Sequence, residues 1–240
     1  MEAGSSPARA FWQGVADALK LPAWMLGLSM VGVGPLARDV GFSIGGAVLS
    51  SLLIFAVPAQ VVFFGMIAAG SSLVSIALAV TLSAVRLMPM TASLMPFLRG
   101  PGATRPKLLL ASHFVAVTVW VESMRRLPHV EPALRRPYFF GVGAACMASA
   151  SLFTALGYLL AGSVHPAIGA GLLFMTPTFF TLSLVAGARL PADWIAVGAG
   201  FLLPVIFGAW LGPAAALFLT GLLGGTAAFL VEMRRKAKPA

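Results

Sequence analysis

Arg86 is the one charged residue between Asp39 and Arg99, and it sits near the middle of the apolar stretch SSLVSIALAVTLSAVRLMPMTASLMPF. At that depth in a bilayer a guanidinium costs about 3 kcal/mol on insertion scales, so it faces a protein interior or a watery cavity that compensates it. An uncompensated cation there marks a place to look for an anionic substrate group. The alternative is a structural pairing with helix carbonyls or a carboxylate. Around it, Ser75, Ala79, Ser83, Arg86, Met90 and Ser93 recur at spacings of three and four and share one helix face. Small and hydroxylated residues also allow close helix contact, which accounts for the serines but not for Arg86.

Two proline-broken stretches come next. Pro58 and Gln60 interrupt the apolar stretch before Arg86. A proline removes a donor and clashes with the carbonyl four residues back, freeing backbone groups in mid-membrane. Such groups are tolerated only where protein or a water-filled cavity satisfies them. Pro58, Ala59 and Gln60 thus read as a substrate-facing break or as a simple kink. Thr176, Pro177 and Thr178 take the same reading. Glu122 precedes Arg125 and Arg126 by three and four residues, the spacing of helical ion pairs. It is a candidate for an interfacial salt bridge or for proton coupling, with His113 as a candidate relay. Asp39 and Asp193 read as helix-end residues.

No spacing of His, Cys and carboxylates suits a metal, and neither a nucleophile elbow nor a phosphate-binding glycine loop is present. The chemistry is therefore not expected to be enzymatic, and no cofactor is implied. Any active transport would be secondary or powered by another subunit.

The elements that must position these residues are membrane helices. Hydrophobic residues make up 59% of the 240 and charged residues 10%, with mean hydropathy +0.96, where soluble domains carry about 25% charged residues. Stretches long enough to cross hydrocarbon recur along the chain. The net charge of +9 comes from clusters at segment ends: Arg99, Arg105 and Lys107; Arg125, Arg126, Arg135 and Arg136; and Arg234, Arg235, Lys236 and Lys238. That is the pattern of cytoplasmic lysines and arginines that orients membrane helices. It is not a nucleic-acid face. Cys146 is the single cysteine, set among alanines, and reads as a packing residue. Asp17 and Lys20 interrupt the N-terminal stretch before a continuous apolar core forms, so no cleavable signal peptide is expected.

The fold class is all-α, a polytopic bundle of seven or eight spans. Residues 1–21 read as an amphipathic interfacial segment, with Phe11, Trp12, Val15, Ala16 and Leu19 at helical spacing. Residues 22–233 form a single transmembrane domain and 234–240 a basic cytoplasmic tail. Spans are expected at 22–37, 42–69, 72–97, 107–125, 138–161, 165–187, 192–210 and 212–233. With eight, both termini lie inside. The segment 107–125 carries His113, Thr118 and Glu122. If it is re-entrant instead, seven spans remain and every charge from 99 to 136 joins one side. LIFAVP at 53–58 resembles LLFMTP at 172–177, which suggests repeat halves of about 22–125 and 138–233. They would be parallel with eight spans and inverted with seven. Pro-interrupted segments in two halves are a sequence pointer to a transporter binding site.

Nearly the whole chain resembles the AzlC family, the large subunit of bacterial branched-chain amino-acid exporters. The resemblance rests on FWQGVADALKLPAWMLG, on GFSIGGAVLSSLLIFAVPAQVVFFG with its small–small–Gln ending at Pro58-Ala59-Gln60, on SAVRLMPM, and on Val121-Glu122-Ser123. Many members carry an Asn-x-Arg-His-like motif around the arginine; Ala84 and Leu87 stand at its asparagine and histidine positions here, and Val121 replaces a common aspartate. The transferable positions are Pro58, Gln60, Arg86 and Glu122. The resemblance implies a permease of the bacterial cytoplasmic (inner) membrane. It would act with a small hydrophobic AzlD-type subunit and export branched-chain or similar amino acids on the proton motive force. A zwitterionic substrate suits Arg86 or broken-helix donors for its carboxylate and apolar walls for its side chain. The competing readings are a non-transporting membrane scaffold and a passive channel.

Overall fold

The structure, a computed structural model, describes residues 6–100, 102–161, 190–211 and 213–236 and scattered positions between 163 and 188. The described residues form helices α1 (Pro7–Lys20), α2 (Pro22–Val31), α3 (Val33–Asp39), α4 (Ile44–Leu53), α5 (Val57–Ala68), α6 (Leu73–Ala84), α7 (Leu87–Leu98), α8 (Arg105–His113), α9 (Val117–Arg126), α10 (Arg135–Leu160), α11 (Pro191–Leu211) and α12 (Pro213–Lys236), and no strand. Prolines open many of them rather than interrupting them: Pro7, Pro22, Pro58 and Pro106 each sit in a first turn, where the missing N–H has no partner to lose. Ser6, Ser43 and Ser72 cap α1, α4 and α6.

Contacts divide the chain into Met1–Thr176 and Pro177–Ala240. In the second unit α11 and α12 pack as an antiparallel pair, with Ala199 against Gly224. They occupy the stretches expected as spans at 192–210 and 212–233. The expected span at 165–187 lies largely outside the described residues.

The first unit is built on α10, whose 26 residues reach roughly 39 Å at 1.5 Å per residue. Helices α1 to α3 lie along it in the same direction. A β-carbon on Gly14 would collide with the Tyr138 carbonyl, one on Gly141 with the Phe11 carbonyl, one on Gly157 with the Val31 carbonyl, and one on Gly34 with the Tyr158 amide. Helix backbones thus touch at both ends of α10, as small residues permit where lipid gives no hydrophobic drive to association. Polar bonds fix the register: Ser149 Oγ donates to Ala23 O at 2.7 Å, and Tyr158 O–H donates to Phe42 O at 2.8 Å. Arg38 donates to the Ala161 carbonyl at 2.8 Å, placing a cation on the C-terminal dipole of α10. Helix α1 meets α2 at a bend of 57°, burying Ala10, Gly14 and Ala18 while Trp12 and Leu19 stay exposed.

Between α3 and α10 the chain reverses in a way the hydropathy pattern does not give. The expected span at 42–69 is two short helices. Helix α4 stops at Leu53, and α5 returns far enough for the Phe42 ring to meet Phe64 at 5.4 Å. The physical reason is Pro58, which cannot continue α4 because its ring would strike the Ile54 carbonyl. The expected span at 107–125 is likewise broken: α8 and α9 meet at 118°. Arg136 bonds Gly102 O, just before α8, and Arg126 at the end of α9 reaches Asp17, so both ends of this hairpin lie at the N-terminal end of α10. Helices α6 and α7, bent by 51°, carry the chain from one end to the other. Phe97, late in α7, stacks under the Arg135 guanidinium at the start of α10. Residues 107–125 therefore form a bent helix pair rather than one straight span, and 44–68 forms a second hairpin.

The glycine contacts make a direct prediction. Gly141→Leu or Gly157→Leu places a side chain against backbone and is expected to cost more than about 3 kcal/mol. Gly65→Ala meets nothing within 4 Å and is expected to be neutral or to stabilise α5 by up to about 1 kcal/mol. Thermal unfolding of the detergent-solubilised chain reads both.

Candidate functional site

The two hairpin tips share one backbone pattern. In the first, Ala56 is extended, its N–H bonds Ile54 O at 2.8 Å, helix α5 starts at Val57, and Gln60 N–H bonds Ala56 O at 3.0 Å. In the second, Ala116 is extended, its N–H bonds Phe114 O at 3.1 Å, α9 starts at Val117, and Trp120 N–H bonds Ala116 O at 2.8 Å. Each hairpin follows a longer crossing element, and the two enter from opposite ends of α10. The first follows α2–α3 and the second follows α6–α7. The repeat expected between 53–58 and 172–177 falls largely on positions outside the described residues.

Pro58 leaves the Ile54 carbonyl without its helical donor. Gln60 supplies one: its Nε2 donates to Ile54 O at 2.8 Å. Because a carbonyl only accepts, the amide orientation is fixed, and Oε1 is left buried with no hydrogen-bond partner among the described residues. The second hairpin has no proline at its break. Its break falls in Val115-Ala116-Val117-Thr118-Val119, a β-branched run that loses side-chain freedom in a helix. The tips touch, with His113 Nε2 2.8 Å from Leu52 O. Again the carbonyl only accepts, so Nε2 carries the proton.

Neither α5 nor α9 has a side-chain cap. Their first-turn N–H groups, with Pro58 contributing none, have no intrahelical acceptor and point at the tips with the positive end of the helix dipole. Such an end attracts an anion. Phe55, Val57, Val115, Ala116 and Val119 are buried around the breaks.

The remaining predicted residues lie elsewhere. Arg86 stands at the α6–α7 break, which Pro89 produces by lacking an N–H for the Val85 carbonyl; Met88 N–H takes that carbonyl instead, at 3.0 Å. Arg86 is exposed, on a surface with Leu78, Leu82, Val85 and Met88, and makes no ion pair or side-chain hydrogen bond among the described residues. Ser83 is half-buried in the last turn of α6. The expected polar stripe is split by the break: Ser75 bonds Ser72, and Ser93 accepts from Trp120 Nε1 at 2.8 Å. Thr178 is helical and exposed, while Thr176 and Pro177 lie outside the described residues.

Glu122 is buried and fully engaged. Arg125 donates to both of its oxygens, at 3.0 and 2.8 Å, and Arg126 Nε donates to Oε1 at 2.6 Å. Arg126 also reaches Asp17 Oδ2 at 3.1 Å, which accepts from Tyr138 O–H at 2.9 Å, while Lys20 bonds Oδ1 at 2.7 Å. This cluster borders a cavity of about 440 Å³ lined by Gln13, Asp17, Arg125, Arg126, His129, Val130 and Tyr138. Burial alone would raise the Asp17 carboxyl, but hydrogen bonds from Lys20 and Tyr138 and the charges of Arg126 and Lys20 outweigh it and hold it below its ordinary value. Asp17 and Tyr138 were not legible as site residues, because 121 positions separate them. The usable signal was an acidic residue on the buried face of an amphipathic helix.

The cluster behaves as a latch between α1, α9 and α10. Arg126→Ala strips a cation from two buried carboxylates and is expected to cost about 3 kcal/mol. Arg125→Ala, at a side chain 65% exposed, is expected to cost under about 1 kcal/mol. The Asp17 contribution is present above the unfolded value near pH 4. It is lost as pH falls through the depressed folded value. Unfolding of Asp17→Asn beside the parent chain at pH 7 and at low pH checks the sign: the gap closes in acid.

A family model described as AzlC protein matches residues 23–164, which include both hairpins, Arg86 and Glu122. No curated protein and no solved structure matches the chain.

Proposed function

The chain belongs to the AzlC family, a membrane transport-related assignment, and from that premise we propose that it is a secondary-active permease. It would export branched-chain or related small apolar amino acids across the bacterial cytoplasmic membrane, together with a small hydrophobic AzlD-type subunit. The observation that carries this reading is the pair of opposed hairpins whose tips meet at His113 and Leu52. Irregular backbone at membrane depth is sustained where it lines a cavity or is buried in protein. Discontinuous helices in inverted repeats are how many transporters build a substrate site.

Arg9, Arg99, Arg105, Lys107, Arg125, Arg126, Arg135 and Arg136 gather toward the end of the first unit where α10 begins, and Arg38 lies at the other. The excess of cations supports the former end as cytoplasmic. Arg86 lies midway along the crossing made by α6 and α7, on a surface that lipid would not compensate. A second membrane subunit over the exposed α6 surface would enclose it, turning that charge into part of an internal path for a carboxylate. Proton coupling fits His113 better than Glu122. Glu122 is tied to two arginines, whereas His113 bridges the two hairpins through its ring Nε2.

Flux in proteoliposomes containing the chain and its small partner tests the reading. Saturable, gradient-dependent efflux of valine, leucine or methionine is expected. Arg86→Ala is expected to insert normally and to lose at least tenfold in flux. His113→Gln is expected to keep exchange while losing the response to a proton gradient. No flux from the parent chain would favour a scaffold, and non-saturating flux a channel. Unchanged efflux in Arg86→Ala would remove that residue from the path.

A further inference from the structure

We propose that the two hairpin tips form one subsite for a zwitterion: the uncapped N-termini of α5 and α9 hold its carboxylate, and Gln60 Oε1 accepts from its ammonium group. This rests on the permease reading and assigns its substrate site to particular atoms.

Three observations carry it. Both helices start inside the fold at an alanine, a residue that cannot cap; α1, α4 and α6 carry a capping serine, and α2, α3, α7, α8 and α10 also start without a side-chain cap. First-turn N–H groups at Val57 and Ala59, and at Val117, Thr118 and Val119, therefore lack intrahelical acceptors, and an anion can complete them. Second, Gln60 is fully buried and its amide lies in the α4–α5 break, held there by the bond to Ile54 O. Its Oε1 has no hydrogen-bond partner among the described residues. An oxygen in that position accepts a hydrogen bond and offers none, so it calls for a donor such as ammonium. Third, His113 Nε2 lies 2.8 Å from Leu52 O, which joins the ends of α4 and α8, and α5 and α9 restart five and four residues later in sequence. Phe55, Val57, Val115 and Ala116, buried at the two breaks, are apolar and suit an aliphatic side chain.

Capping variants separate this from a structural role. Ala56→Ser with Ala116→Ser supplies each helix with the acceptor it lacks. A purely structural tip would be unharmed or stabilised by that change. A carboxylate site would be occupied from within. Binding of L-leucine, of leucinamide (no carboxylate) and of 4-methylpentanoate (no ammonium) is measured by calorimetry on the full chain with its partner subunit. The parent chain is expected to bind L-leucine at least tenfold more tightly than either analogue. The double capping variant is expected to stay folded and lose at least tenfold in L-leucine affinity. Gln60→Met is expected to erase the preference for L-leucine over 4-methylpentanoate while keeping the preference over leucinamide. Unchanged L-leucine affinity in the capping variant, or unchanged selectivity in Gln60→Met, overturns the site even where parent flux is intact. Absence of both parent binding and parent flux overturns the permease reading, and this site with it. Should Gln60→Met fail to fold, the capping variant alone decides.

Discussion

Backbone contact between α1–α3 and α10 is the constraint on which the first unit depends. Gly14 against Tyr138, Gly141 against Phe11, Gly34 against Tyr158 and Gly157 against Val31 let two parallel elements approach without side chains between them. A chain whose first and last layers run the same way must return to its starting end before the last layer begins. The bent pair α6–α7 makes that return once. Either one or three crossings between the two layers would satisfy that requirement; the Phe42–Phe64 contact and the bonds of Gly102 and Arg126 at the start of α10 make it one, so the apolar segments on either side of α6–α7 turn back. Pro58 and the valine-rich run at 115–119 place their tips.

Satisfying backbone groups then determines what the tips can do. Gln60 restores the donor that Pro58 removes, but it spends its N–H₂ group on Ile54 and leaves an acceptor exposed to the break. The helices that restart at Val57 and Val117 have no caps of their own. The tips therefore contain both unmet donors and an unmet acceptor, complementary to a molecule carrying both charges. At the end where α10 begins the arrangement is the reverse: every carboxylate oxygen of Asp17 and Glu122 is met. That end has the bonding pattern of a latch, and the tips have that of a site.

Much of this was legible from residues and some of it was not. Composition alone placed the chain in a membrane, and Glu122 with Arg125 and Arg126 gave its ion pairs from spacing, because a helix brings positions three and four apart together. Pro58 and Gln60 were readable as a break. Their hairpin was not, because hydropathy is the same for a segment that crosses and for one that turns back. The turn in 107–125 was readable only as an alternative, from His113, Thr118 and Glu122, since a β-branched run is a weaker signal than a proline. The likeness of the two tips is carried by backbone geometry at Ala56 and Ala116, with little shared side-chain chemistry. Arg86 was conspicuous from its isolation, and the structure keeps it isolated, at a break that Pro89 makes.

The central claim is that residues 44–68 and 105–126 each return to the side they entered from. Single cysteines at Asp39, Ser71, Thr104 and Glu131, introduced into a Cys146→Ala chain and probed with a membrane-impermeant thiol reagent from each side of sealed vesicles, test it most directly. The account expects Asp39→Cys and Ser71→Cys to react from one side, and Thr104→Cys and Glu131→Cys from the other. Labelling of Asp39→Cys and Ser71→Cys from opposite sides would contradict it.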